Sequence, residues 1–165
     1  MGQKCEVRLL GGLGVIVDGR PVSVNSWRSK RAADLVKLLA IEPKHRLHRE
    51  QVMESLWPHL QVDAAAPNLR KAIHYARRAL GSGDAIHAES GLLTLWPNAT
   101  VDVDLDRFHR QAEGALSSGD GDACLSVAAA YTGDVLPADR YEPWSEEPRF
   151  RARARYVALL KGAGD

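Results

Sequence analysis

The chain of 165 residues is 45% hydrophobic and 26% charged, with 14 Gly and 8 Pro. That balance belongs to a globular protein and excludes collagen-like repeats, coiled-coil rods and chains too polar to fold. No run approaches the ~18 apolar residues of a membrane helix, and Met1–Cys5 is not followed by the apolar stretch of a secretory signal.

A cytoplasmic protein with no membrane partner is therefore expected. Cys5 and Cys124 are too few for a disulfide framework or a zinc site, and are read as reduced thiols packed in a core. The formal net charge is +1, but it is unevenly placed. Residues 1–100 carry 14 Lys and Arg against 9 Asp and Glu, net +5, whereas residues 101–165 carry 8 against 12, net −4. Such asymmetry predicts two domains with different partners, the first suited to a polyanion.

The first 24 residues alternate as strands do. Val7 and Leu9 interleave with charged residues, Gly11-Gly12 interrupts the run, and Asp18-Gly19 sits between two β-rich segments. Asp-Gly in that position signals a two-residue hairpin, because Gly readily supplies positive φ. From Ser29 the period becomes helical. Ala32, Leu35, Val36 and Leu39 form one stripe, and Pro43 with the basic stretch Lys44-His45-Arg46 ends it. A short second helix covers about Arg49 to Trp57 and stops at Pro58.

The third helix is expected over 64–80, with Asp63 as its cap, Pro67 in its first turn and Gly81 as its stop. Leu69, Ala72, Ile73, Ala76 and Leu80 make one apolar face. Lys71, His74, Tyr75 and Arg78 project away from it, and Arg70 and Arg77 flank the seam. Residues 64–81 hold four Lys and Arg and no acid. A second hairpin follows over 85–96, turning at Glu89-Ser90-Gly91.

Asp102, Asp104 and Asp106 mark the change to an acidic, helical second part. Its predicted stripes are Leu105, Phe108, Ala112, Ala115 and Leu116, then Cys124, Val127, Ala128 and Tyr131. The last is Phe150, Ala154, Val157 and Leu160 on a helix capped by Ser145. Trp57 and Trp144 are read as packing residues, and the alternating Arg149, Arg151, Arg153 and Arg155 as a solvated surface. No convincing repeat period is present.

Strands, three helices and a hairpin in that order describe an α+β winged helix-turn-helix, followed by an all-α, helical-repeat-like segment. The domains are placed at 1–100 and 101–165. In such a fold the third helix enters the major groove. Arg70, Lys71, His74, Tyr75, Arg77 and Arg78 are then candidate DNA contacts, with Arg28, Lys30 and Arg31 as phosphate contacts.

The six histidines do not make a metal site. His45-x-x-His48 lacks further ligands, and His48-Arg49-Glu50 is not the zinc-protease pattern. No nucleophile elbow or phosphate loop is present either, so neither an enzyme nor a cofactor is expected.

Three stretches of the first part carry a family resemblance: 31–40 (RAADLVKLLA), 48–58 (HREQVMESLWP) and 68–81 (NLRKAIHYARRALG). So do 104–108 (DLDRF), 131–137 (YTGDVLP) and 141–144 (YEPW) in the second. In their order these resemble the SARP-type antibiotic regulatory proteins of actinobacteria, which join an OmpR-like winged helix to a bacterial transcriptional activator domain of helical repeats. Ala76 stands where many relatives carry Leu, and this sequence holds about three helices of a longer activator domain.

The resemblance implies a transcriptional activator. It would bind double-stranded promoter DNA through helix 64–80 and the 85–96 wing and contact RNA polymerase, and it allows a homodimer on repeated half-sites. The alternative is a protein-interaction adaptor that uses the winged helix without DNA binding.

Overall fold

Asp18 and Gly19 turn the chain with φ of 49° and 82°, the two left-handed residues a tight hairpin requires. The hairpin joins β2 (Gly14–Val17) to β3 (Arg20–Pro21), which pair antiparallel with Val17 opposite Arg20. With β1 (Lys4–Arg8) and β7 (Thr100–Val103) they form a four-stranded sheet in the order β3-β2-β1-β7. The Asp18 carboxylate accepts from the Lys4 backbone N–H at 2.8 Å, which ties the turn to β1. This computed structural model describes residues 2–164.

The chain divides into two compact units. One comprises Met1–Glu6 and Val15–Val101, the other Val7–Gly14 and Asp102–Asp165. The short segment Val7–Gly14 thus belongs with the helices that follow ~90 residues later, not with its own neighbours. Local sequence carried no sign of that assignment.

In the first unit, α1 (Lys30–Ile41) starts at Ser29, whose hydroxyl accepts from the Ala32 N–H. It ends at Glu42, before Pro43. Residues 44–48, read from sequence as a helix terminus and loop, contain a further strand, β4 (Arg46–His48). That strand pairs antiparallel with β6 (Leu92–Leu95), which also pairs with β5 (Ile86–Glu89), giving a three-stranded sheet in the order β4-β6-β5. Three residues with one apolar side chain give no periodic signal, so only the pairing reveals β4. Next, α2 (Arg49–Leu56) begins with the His48 N–H donating to the Gln51 side chain.

The third helix, α3 (Val62–Leu80), begins two residues earlier than expected, so Asp63 lies inside its first turn and does not cap it. Its charge is still favourable there, beside the positive end of the helix dipole. Pro67 therefore sits beyond the first turn. It is exposed, and water can serve the carbonyl that its missing N–H leaves unpaired. Gly81, at φ 77°, closes the helix by donating to the Arg77 and Arg78 carbonyls.

In the second unit, α4 (Asp104–Ser118), α5 (Gly121–Ala128) and α6 (Pro143–Gly164) pack together. Both oxygens of Asp104 accept backbone N–H groups of the Val7–Gly14 segment, from Leu9 at 2.8 Å and Leu10 at 3.2 Å. Burial nevertheless raises the Asp104 pKa above its ordinary value, outweighing the opposing effect of those hydrogen bonds. Phe108 is 1% exposed and lies against Tyr131, which stacks on Tyr156 with centroids 4.5 Å apart.

Two expectations for α6 fail. Ser145 is not its cap, since the helix starts at Pro143 and the buried Ser145 hydroxyl donates to the Asp139 and Glu142 carbonyls. The predicted apolar stripe points outward, with Phe150 73% exposed, Val157 42% and Leu160 43%. The residues that α6 buries are instead Ser145, Ala152 and Leu159. This inner side also takes arginines, because backbone acceptors meet them: Arg155 donates to the His109 carbonyl and Arg149 to that of Arg140.

Candidate nucleic-acid interface

The two sides of α3 differ sharply in burial. Ala65, Leu69, Ala72, Ile73, Ala76 and Leu80 are buried where the helix meets α1 and α2. At ~25 cal/mol per Å2 of apolar surface, a stripe of this size fixes the rotation of the helix about its axis. Arg70, Lys71, His74 and Arg78 are consequently held in solvent on the other side. Tyr75 is half-buried and meets His74 edge-on at 5.4 Å. Three exposed cations and one exposed imidazole therefore share a helix surface free of acids beyond its first turn.

Arg77 stands apart from this group. Its Nε and Nη2 donate to the Ile86 carbonyl at 2.9 and 2.7 Å, so it fastens the last turn of α3 to the start of β5. As a pair of charge-assisted bonds to the buried first residue of the strand, this contact positions the β5–β6 hairpin against the helix. Arg77, a candidate DNA contact from the sequence, is in this structure a link between two elements.

The hairpin turns at Ser90 and Gly91, with φ of 53° and 81°. Its tip is exposed, and Glu89 there pairs with His87 at 3.2 Å. The Gly91 carbonyl accepts from the Arg49 N–H at 2.8 Å, which seats the turn on the start of α2.

The phosphate candidates around the start of α1 are organised by Asp34, a residue the sequence reading did not single out. Asp34, fully buried, accepts from Lys30 and Arg31, each at 2.9 Å, and from Lys37 at 3.4 Å. The three cations share one carboxylate, leaving the cluster positive overall. Lys30 keeps 63% of its side chain exposed, whereas Arg31 keeps 32%. Arg28 is exposed. The spacings of three and four residues about Asp34 were a readable sign of this arrangement.

No protein-family profile matches the sequence, and no curated protein matches it. Among solved structures, the fold is similar to that of Mycobacterium tuberculosis EmbR in complex with a low-affinity phosphopeptide. The TM-score is 0.71 at 19% identity, over 94% of this chain and 44% of that one. The likeness supports a mixed α+β fold of small sheets and helices shared with that structure. This chain spans less than half the length of EmbR in that structure. Among the described residues no helix is long and apolar enough to cross a membrane, and no His, Cys, Asp and Glu side chains gather as a metal-binding group.

Proposed function

We propose that the first unit reads double-stranded DNA and that the protein is a sequence-specific transcriptional regulator of the SARP-type family. The observation that carries this reading is the outward face of α3, where Arg70, Lys71, His74 and Arg78 stand exposed opposite a fully packed apolar stripe. An α-helix fits the major groove, and Lys71 and Arg78 have the donors to meet guanine O6 and N7. Arg70, Lys30 and Arg28 serve phosphates, which set register without reading sequence. Tyr75 and His74 supply a flat, polar-edged surface next to these cations.

The hairpin acts mainly through Arg77, by fixing α3, since Glu89 at its tip offers nothing to a phosphate. Arg49, whose side chain lies beside Gly91, supplies a cation at the turn. The acidic second unit is the region proposed to contact RNA polymerase, in an activator acting from promoter DNA in the cytoplasm. The fold shared with EmbR supports a regulator of this architecture. No residue set proposed here performs catalysis.

The test is a mobility-shift titration against duplex fragments selected from genomic DNA. Lys71→Ala with Arg78→Ala is expected to abolish selective binding while circular dichroism stays unchanged. Full affinity in the double variant, or a wild-type protein that captures no duplex at moderate salt, contradicts the reading and favours the adaptor alternative.

A further inference from the structure

Two turns of the first unit are joined through β4 and β6, and each holds a residue in the left-handed region. In one, the His45 N–H donates to the Glu42 carbonyl at 3.0 Å, and His45 has φ 56°. In the other, the Ala99 N–H donates to the Trp96 carbonyl at 3.2 Å, and Trp96 has φ 42°. For a side chain as bulky as Trp that backbone is strained, so the surroundings must hold it. They do so through the Trp96 N–H, which donates to the Ala85 carbonyl at 2.8 Å. The Leu95 N–H donates to the His45 carbonyl at 2.9 Å and locks one turn to the other.

A hollow of about 460 Å3 is lined by both turns, and its walls belong entirely to the first unit. That volume lies within the ~300–1,000 Å3 of small-molecule sites. Leu95, Trp96, Pro97 and Val101 supply apolar lining, and the exposed Lys44 and Arg46 supply charge. No acid lines the hollow, and among the described residues neither cation meets a carboxylate. Arg46 lies opposite Thr94 in the strand register, which puts both side chains on one face of the sheet. The Trp96 indole N–H is buried and has no acceptor among the described residues. Buried donors are nearly always paired, so this one sets the wall of the hollow apart from ordinary packing.

We propose that this hollow binds a small organic carboxylate, a molecule with one anionic group on a compact apolar body. The Arg46 guanidinium is a planar fork that fits a carboxylate bidentately, and Lys44 adds a second positive charge. The apolar lining takes the body of the ligand out of water. An inorganic anion leaves that lining unfilled, and a neutral apolar molecule leaves both cations unpaired. Because backbone bonds already hold the two turns, little ordering opposes binding. Duplex DNA is the poorer fit. Arg46 pairs with Thr94 at the end of the β4–β6 ladder away from the hairpin turn, and a phosphodiester brings no apolar body.

The experiment uses the full chain without nucleic acid, so it succeeds or fails independently of the DNA-binding reading. The probe is 2-naphthoate, followed through the indole N–H signals of the four tryptophans by NMR, with Trp96 assigned from Trp96→Phe. The Trp96 signal is expected to shift and saturate, with a half-effect on the order of 0.1 mM. Those of Trp27, Trp57 and Trp144 should stay in place.

Lys44→Ala with Arg46→Ala should weaken binding at least ~10-fold while the other three tryptophan signals report an unchanged fold. Acetate, the anion without the body, and 2-naphthalenemethanol, the body without the anion, should each bind at least ~10-fold more weakly than 2-naphthoate. A titration that does not saturate by ~10 mM overturns the proposal, as does equal affinity in the double variant. Acetate binding as tightly as 2-naphthoate means an adventitious ion only, and equally tight 2-naphthalenemethanol removes the role of the cations. Either result overturns the assignment.

Discussion

Helices α3 and α6 are both long, both exposed along one side, and opposite in what they expose. On α3 the apolar positions are buried and Arg70, Lys71, His74 and Arg78 face solvent. On α6 Phe150, Val157 and Leu160 face outward, while Ser145, Ala152 and Leu159 face the neighbouring helices. The difference shows that an apolar stripe identifies a surface needing a partner without saying where the partner lies. For α3 it lies within the unit.

Substitutions along α6 break this comparison most strongly. Leu159→Ala removes a side chain with no exposure and is expected to cost ~2–5 kcal/mol of stability, read by urea unfolding. Its exposed neighbour Leu160→Ala should stay within ~0.5 kcal/mol. Equal effects would mean that the burial pattern assigned to α6 is wrong.

The corresponding contrast on α3 separates binding from stability. Arg78→Ala is expected to lose ~1–3 kcal/mol of specific duplex affinity, measured by fluorescence anisotropy, with an unchanged melting temperature. Arg77→Ala should instead lower stability by ~1–2 kcal/mol through the lost bonds to the Ile86 carbonyl. A reversed pattern would return Arg77 to the DNA-contacting set.

The legibility of the two helices differs for physical reasons. The period of α3 could be read because Leu69, Ala72, Ile73, Ala76 and Leu80 form an unbroken apolar stripe with cations opposite, and these residues are buried. On α6 the buried side mixes Ala152 and Leu159 with Ser145 and half-buried arginines, so polarity did not mark the interior. What makes that side suitable for burial is a set of carbonyl acceptors from residues 109, 139, 140 and 142, supplied from outside α6.

The same reasoning covers the smaller surprises. β4 exists because β6 lies beside it, and Val7–Gly14 joins the second unit through Asp104, ~95 residues away. Asp34 was locally legible, as its three partners lie three or four residues away.

Two smaller effects sharpen the contrast between the units. Lys30→Ala should weaken all duplexes alike and reduce the salt slope of binding by about 1, as one lost phosphate contact does. In the second unit, burial lowers the His109 pKa below 6.5, reinforced by Arg155 and Arg151 and opposed by Asp106. The unfolded chain therefore takes up this proton first. The stability contribution is complete above pH ~6.5 and declines as pH falls below it toward the folded pKa. His109→Gln should flatten that decline in thermal melts, leaving acid sensitivity at Asp134, whose pKa Arg153 holds down.

The central claim, that the outward face of α3 reads duplex DNA, is tested most directly by measuring affinity for selected genomic duplexes against salt concentration. The account predicts a linear fall of log K with log salt, at a slope of about −0.9 per phosphate contact. It also predicts selective binding that disappears when Lys71 and Arg78 are replaced together by Ala. Salt-independent binding, or selectivity that survives both substitutions, would contradict it.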